Sequence, residues 1–97
     1  MSRGEVRPDL AEYAGLIKGF VDRRITAGEF EARYLRLVKD DKVIHGEPAF
    51  GIIDDLFYYV DEYFDDPDAS DDERQIEERN LRSHATEALE KIIQISE

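Results

Sequence analysis

The side chains in this sequence that most plainly invite chemistry are carboxylates. Ten of them fall between Asp54 and Glu73: Asp54, Asp55, Asp61, Glu62, Asp65, Asp66, Asp68, Asp71, Asp72 and Glu73, with no Lys or Arg among them. The rest of the chain sets fourteen acids against 13 bases, so this one stretch holds nearly all of the formal net charge of -11. Carboxylates in such number can ligate calcium, hold a magnesium-bound polyphosphate, or offer a negative surface to a cationic partner.

Each option makes a demand on spacing. Asp66, Asp68, Ser70 and Glu77 fall at the first, third, fifth and twelfth places of a calcium-binding loop, but Asp71 stands where that loop needs glycine for its sharp turn, and Pro67 is foreign to it. Asp54, Asp61 and Glu62 on one helix, facing Glu77 and Glu78 on the next, would suit an all-helical Mg²⁺-dependent nucleotide pyrophosphatase. A triphosphate also wants cationic side chains, and the cluster has none. A docking surface meets no such objection. Asp54, Asp55, Asp61 and Glu62 are interleaved with Tyr58, Tyr59 and Tyr63, and aromatic residues are enriched at interfaces. Crowded like charge destabilises a fold by self-repulsion, which makes this an expensive face to leave idle. The expected partner-binding set is therefore Asp54, Asp55, Tyr58, Tyr59, Asp61, Glu62, Tyr63, Asp65, Asp66 and Asp68, with the carboxylates standing in for the phosphates of a nucleic acid. The alternatives kept beside it are the pyrophosphatase and an acidic adaptor for another basic protein.

Nothing else in the chain amounts to a reactive constellation. There is no cysteine, which excludes disulfides and thiolate zinc sites. His45 in a connector and His84 at a bundle edge make a poor metal set, and the glycines form no phosphate-binding loop. No catalytic residue, metal or cofactor is expected.

The elements that must carry the acidic stretch are legible from apolar periodicity. Residues 1–8 read as a flexible arm, and 9–97 as a single domain. Asp9 is the expected N-cap of a first helix whose stripe is Leu10, Tyr13, Ala14, Ile17, Phe20 and Val21, ending near Arg24. Thr26 and Glu29 have the capping-box spacing. They open a second helix with Phe30, Tyr34, Leu37 and Val38 inward. Val43 and Ile44 anchor a polar connector, and Pro48 suits the first turn of a third helix. Its stripe is Phe50, Ile53, Leu56, Phe57, Val60 and Phe64. Pro67 stops it, and Ser70 with Glu73 forms a second capping box. The fourth helix places Ile76, Leu81, Ala85, Ala88, Leu89, Ile92 and Ile93 inward, with Glu78–Arg82 and Glu87–Lys91 as i,i+4 pairs outside. Four amphipathic helices on short links predict an all-α, antiparallel four-helix bundle.

Composition narrows the function classes. The length of 97 residues fits one domain, and the 38% charged fraction leaves a compact core. The net charge opposes direct nucleic-acid binding and favours rapid encounter with basic proteins. No apolar run approaches the ~20 residues of a membrane helix. The opening from Met1 to Pro8 is too polar for a secretory signal, so a cytoplasmic protein is expected.

Three runs carry a resemblance: Thr26–Leu35 (TAGEFEARYL), Asp54–Tyr63 (DDLFYYVDEY) and Asp65–Asp68 (DDPD). Together they resemble the colicin D immunity proteins, a bacterial self-protective family, over roughly residues 10–95. The resemblance implies a four-helix bundle that binds the nuclease domain of a cognate toxin. In the colicin D case that toxin cleaves transfer RNA, and the immunity protein covers its basic cleft with acidic residues in place of the RNA. The corresponding acids here would be Asp54, Asp55, Asp61, Glu62, Asp65, Asp66 and Asp68, in a monomer forming a 1:1 complex.

Overall fold

Local capping explains where α2 and α4 begin and where α1 stops. The computed structural model describes residues 7–42, 45–63 and 70–96. Among these residues are a 3₁₀ turn (Pro8–Leu10) and four α-helices: α1 (Ala11–Val21), α2 (Ala27–Asp40), α3 (Ala49–Glu62) and α4 (Asp71–Ser96). The capping box of α2 is complete: the Glu29 amide donates to Thr26 Oγ1 at 3.1 Å, and the Thr26 amide donates to Glu29 Oε1 at 3.2 Å. Ser70 caps α4, its hydroxyl accepting from the Glu73 amide at 3.2 Å.

Two helix boundaries differ from expectation. Asp9 is not an N-cap. It lies inside the 3₁₀ turn, and its carboxylate is taken by Arg7 and His45. The residue before α1 is Leu10, which makes no side-chain cap. At the other end α1 stops at Val21, three residues early, in a Schellman motif. The Arg24 amide donates to the Gly19 carbonyl at 2.8 Å, the Arg23 amide donates to that of Phe20 at 3.0 Å, and Arg23 takes φ 65°.

Contacts between named side chains fix the helix directions. Phe20 stacks on Phe30 with centroids 4.5 Å apart, while Tyr13 meets Tyr34 edge to face at 5.9 Å, so α1 and α2 run antiparallel. Tyr34 donates from its buried hydroxyl to the Ile53 carbonyl at 2.9 Å, joining α2 to α3. Tyr59 stacks on His84 at 3.6 Å, and Glu62 and Tyr63 share a groove with Glu77 and Asn80, which sets α4 antiparallel to α3. Arg82 closes the ring: its guanidinium lies 4.8 Å over the Phe20 ring and binds Glu78 at 2.8 Å. The all-α four-helix bundle is thus the observed fold, with α1 and α3 each flanked by α2 and α4.

The core contains Leu10, Tyr13, Ala14, Ile17 and Phe20 from the α1 side, Ala27, Phe30 and Tyr34 from α2, Ala49, Ile52, Ile53, Leu56 and Val60 from α3, and Leu81, Ala85, Ala88 and Ile92 from α4. Val21, Leu37, Val38, Phe57 and Leu89 are half-buried and pack against it, whereas Ile93, expected inward, is half-buried and it is Ile95 that packs on the core from the last turn of α4. Two expected core residues are outside it. Phe50 is 52% exposed, because the inward line of α3 runs through Ala49 and Ile52 and turns the Phe50 position outward. Ile76 is 56% exposed. At ~1.5 Å rise per residue the 26-residue α4 is nearly twice as long as the 14-residue α3, so its first turns overhang the core, and Leu81 is its first buried residue. Val43, Ile44 and Phe64 lie outside the described residues.

Candidate functional site

The inward line of α3 determines what its other side shows. At about 100° per residue, Ile52, Ile53, Leu56 and Val60 define one face, and Tyr58 falls nearly opposite their mean direction. Tyr58 is accordingly 57% exposed. Asp54 and Asp61 flank it on one side, Asp55, Glu62 and Tyr59 on the other, and all five are exposed. No basic residue occurs within α3. The hydrogen bond from the Tyr58 hydroxyl to the Glu62 carboxylate, and the charge of that carboxylate, hold the phenol above its ordinary pKa. Tyr58 is therefore a neutral, oriented ring in the middle of a carboxylate field. Phe50, which the sequence reading placed in the core, lies one turn from Asp54 on the same side and adds a second large apolar group to this face.

The tyrosines differ in their surroundings. Tyr59 meets the Tyr58 ring edge to face at 5.5 Å and stacks flat on His84, with the planes 8° apart. It forms a wall of a groove of about 280 Å³ between α3 and α4, with Ile52, Leu56 and Ala88 beneath and Asp55, Glu87 and Lys91 at the edges. Tyr63 is half-buried at the C-cap of α3 and packs against the core. It borders grooves on the α4 side rather than standing on the exposed face. Asp65, Asp66 and Asp68 lie outside the described residues, and with them most of the calcium-loop candidate.

Among the described residues no three His, Asp or Glu side chains converge to hold a metal ion. Glu78, one of the acids the pyrophosphatase reading required, is instead bound to Arg82. No described helix is long and apolar enough to cross a membrane.

Two charged groupings had no signal in local spacing. Arg23, Arg24, Arg74 and Arg82 line one groove where the α1–α2 turn meets α4, and Arg79 borders the next. His45 sits between Asp9 and Asp41, with a side chain only 5% exposed. Asp9 is 36 positions away from His45, and only the closed ring of helices brings the two together.

Comparison with known proteins finds no match among curated proteins or solved structures. A family match spans residues 9–92, most of the chain and all four helices up to the last turn of α4. By that match the protein belongs to the bacterial self-protective colicin-like immunity family.

Proposed function

We propose that this protein inhibits a nuclease toxin, one acting on transfer RNA, by laying the acidic face of α3 across the toxin's basic substrate cleft. Family membership makes it an immunity protein that binds a colicin-like toxin and protects against it. The finer reading rests on one observation: Asp54, Asp55, Asp61 and Glu62 ring an exposed Tyr58 on a helix with no base. A cleft that binds RNA is lined with cations, and this face is complementary to it in sign. Long-range attraction would steer the encounter, and Tyr58 would supply the desolvated anchor around which a few acid–base pairs are buried. The inhibition is occlusion, without catalysis by the immunity protein, in a 1:1 complex of monomers. Asp65, Asp66 and Asp68, which follow α3 in the sequence, belong to the same proposed partner-binding set.

The test begins with tagged protein used to capture its partner from the native host at low and at high salt. The captured domain is then assayed for RNase activity before and after the immunity protein is removed. The expected result is salt-sensitive capture of a basic domain that cleaves transfer RNA only when freed. With that domain in hand, Asp54→Lys with Asp61→Lys should slow association by about tenfold at low salt and flatten its salt dependence. Tyr58→Ala should instead speed dissociation, at a cost of about 2 kcal/mol. A partner without nuclease activity would overturn the nuclease reading, and unchanged association in the double variant would overturn electrostatic steering.

A further inference from the structure

A second charged cluster lies at the end of the bundle where α1 begins and α2 stops. His45 Nδ1 is 3.1 Å from Asp9 Oδ2, and Nε2 is 2.7 Å from Asp41 Oδ2. Arg7 grips both oxygens of Asp9, Nε donating to Oδ1 at 3.1 Å and Nη2 to Oδ2 at 3.0 Å, and the Tyr13 hydroxyl donates to Asp41 Oδ2 at 2.7 Å. The result is a chain of alternating charge: Arg7, Asp9, His45, Asp41, ended by the Tyr13 phenol. Its members come from the 3₁₀ turn and the residue before it, the connector, the C-cap of α2, and α1. The Tyr13 ring also meets the imidazole edge to face at 5.9 Å.

Protonation decides whether this chain holds. A neutral imidazole has one N–H and one lone pair. With a carboxylate at each nitrogen, the neutral ring would turn its lone pair toward an anion. Only the imidazolium donates to both. Neutral His45 would also leave two carboxylates against the single charge of Arg7. The surrounding groups push the same way. Glu12, Asp40 and Lys42 border the adjoining groove with Asp9 and Asp41, adding two acids and one base.

We propose that His45, held as an imidazolium between Asp9 and Asp41, is a proton-controlled pin that fastens the N-terminal turn and the α2–α3 connector to the bundle, and that loss of its proton frees this end. The pin reaches two further places. The Arg7 amide donates to Ser96 Oγ at 3.0 Å, tying the same turn to the last turn of α4. The residue after His45, Gly46, accepts from the Phe50 amide at 3.1 Å, in the first turn of the helix that bears the acidic face. Burial disfavours charge on His45, but the hydrogen bonds to Asp41 and Asp9 and their negative charge outweigh it, and its pKa lies above the ordinary histidine value. A raised pKa means fastening that is complete below the ordinary histidine value and is lost as pH rises through the raised one. The inference does not depend on the toxin being a nuclease.

The experiment is imidazole ¹⁵N NMR on the full chain through a pH titration, paired with amide hydrogen exchange corrected for its intrinsic pH dependence. The expected result is that His45 keeps both N–H groups past the midpoint of a histidine model peptide. As it then titrates, exchange at Arg7, Leu10 and Phe50 rises by about tenfold relative to amides in the middle of α2. Asp9→Asn should lower the His45 midpoint, and His45→Gln should abolish the pH step in exchange. Titration of His45 at or below the model-peptide value would overturn the proposal. So would unchanged protection at Arg7, Leu10 and Phe50 across its midpoint.

Discussion

Arg23 shows how a single position departs from what its local geometry prefers. The Schellman turn that ends α1 puts this residue at φ 65°, a region where glycine meets no Cβ penalty and an L side chain does. The exposed arginine makes no hydrogen bond through its side chain that the turn requires, since both turn bonds come from backbone amides. Arg23→Gly should therefore stabilise the fold by about 1 kcal/mol, which for a domain of this size is ~4–8 °C in thermal midpoint. A lower midpoint on thermal denaturation would mean that the guanidinium itself stabilises the cluster near Arg82. Arg82 is the contrasting case: a carbonyl contact and a ring contact at Phe20 join α4 to the end of α1, while an ion pair to Glu78 within α4 holds the guanidinium in place. Asp9 and Glu29 each contribute to stability on the acid side. Burial raises the Asp9 pKa, but the His45 and Arg7 contacts outweigh it; Glu29 is lowered by its bonds with Thr26. Both contributions are present above the ordinary carboxylate values and fade as pH falls through the lowered ones.

At the scale of the element, α3 is at odds with its own dipole. Its last turn carries Asp61 and Glu62 and no base, where the partial negative charge of the C-terminus favours cations. A helix selected only for stability would not end this way. Asp61→Asn should stabilise the free protein by about 0.5 kcal/mol. The same variant should associate more slowly with the toxin domain, because the acids that strain the helix are the ones proposed to meet the cleft. Paired thermal melts and stopped-flow binding test this, and a variant that gains neither stability nor a slower association would remove Asp61 from the surface. Helix α2 makes the opposite choice, with Glu29 in its first turn and Lys39 in its last.

The whole molecule carries the cost of its charge. A formal net charge of -11 on 97 residues, concentrated in the sequence between Asp54 and Glu73, repels itself in the folded state more than in the expanded chain. Added salt should therefore raise the thermal midpoint. Going from ~0.01 M to ~1 M shortens the Debye length from about 30 Å to about 3 Å, enough to screen carboxylates on neighbouring turns. A midpoint that falls with sodium chloride would mean that the arginine grooves and ion pairs already offset the acidic face. The charge is also asymmetric, since Arg23, Arg24, Arg74, Arg79 and Arg82 gather where the α1–α2 turn meets α4. On the proposed reading, that asymmetry would give an approaching basic toxin domain an orientation as well as an attraction.

The four helices, their approximate ends and the acidic face of α3 could be read directly from the chain. Each depends on interactions within a few residues: Thr26 with Glu29, Ser70 with Glu73, and the three- and four-residue recurrence of Ile53, Leu56 and Val60. Charge needs no geometry to be counted, so the bias toward Asp54–Glu73 was visible before any fold. What only the tertiary structure decided was the rotation and overhang of helices against one another. A small turn of α3 seats Ala49 and Ile52 inward and leaves Phe50 outside, and the greater length of α4 leaves Ile76 uncovered. Apolar spacing cannot tell these apart, because a stripe wider than its neighbour's groove has a margin, and the packing partner chooses which margin is buried. The His45 cluster and the Tyr59–His84 stack belong to the same class. Asp9 and His45, like Tyr59 and His84, are far apart in the chain, and only closure of the ring of helices brings them within reach.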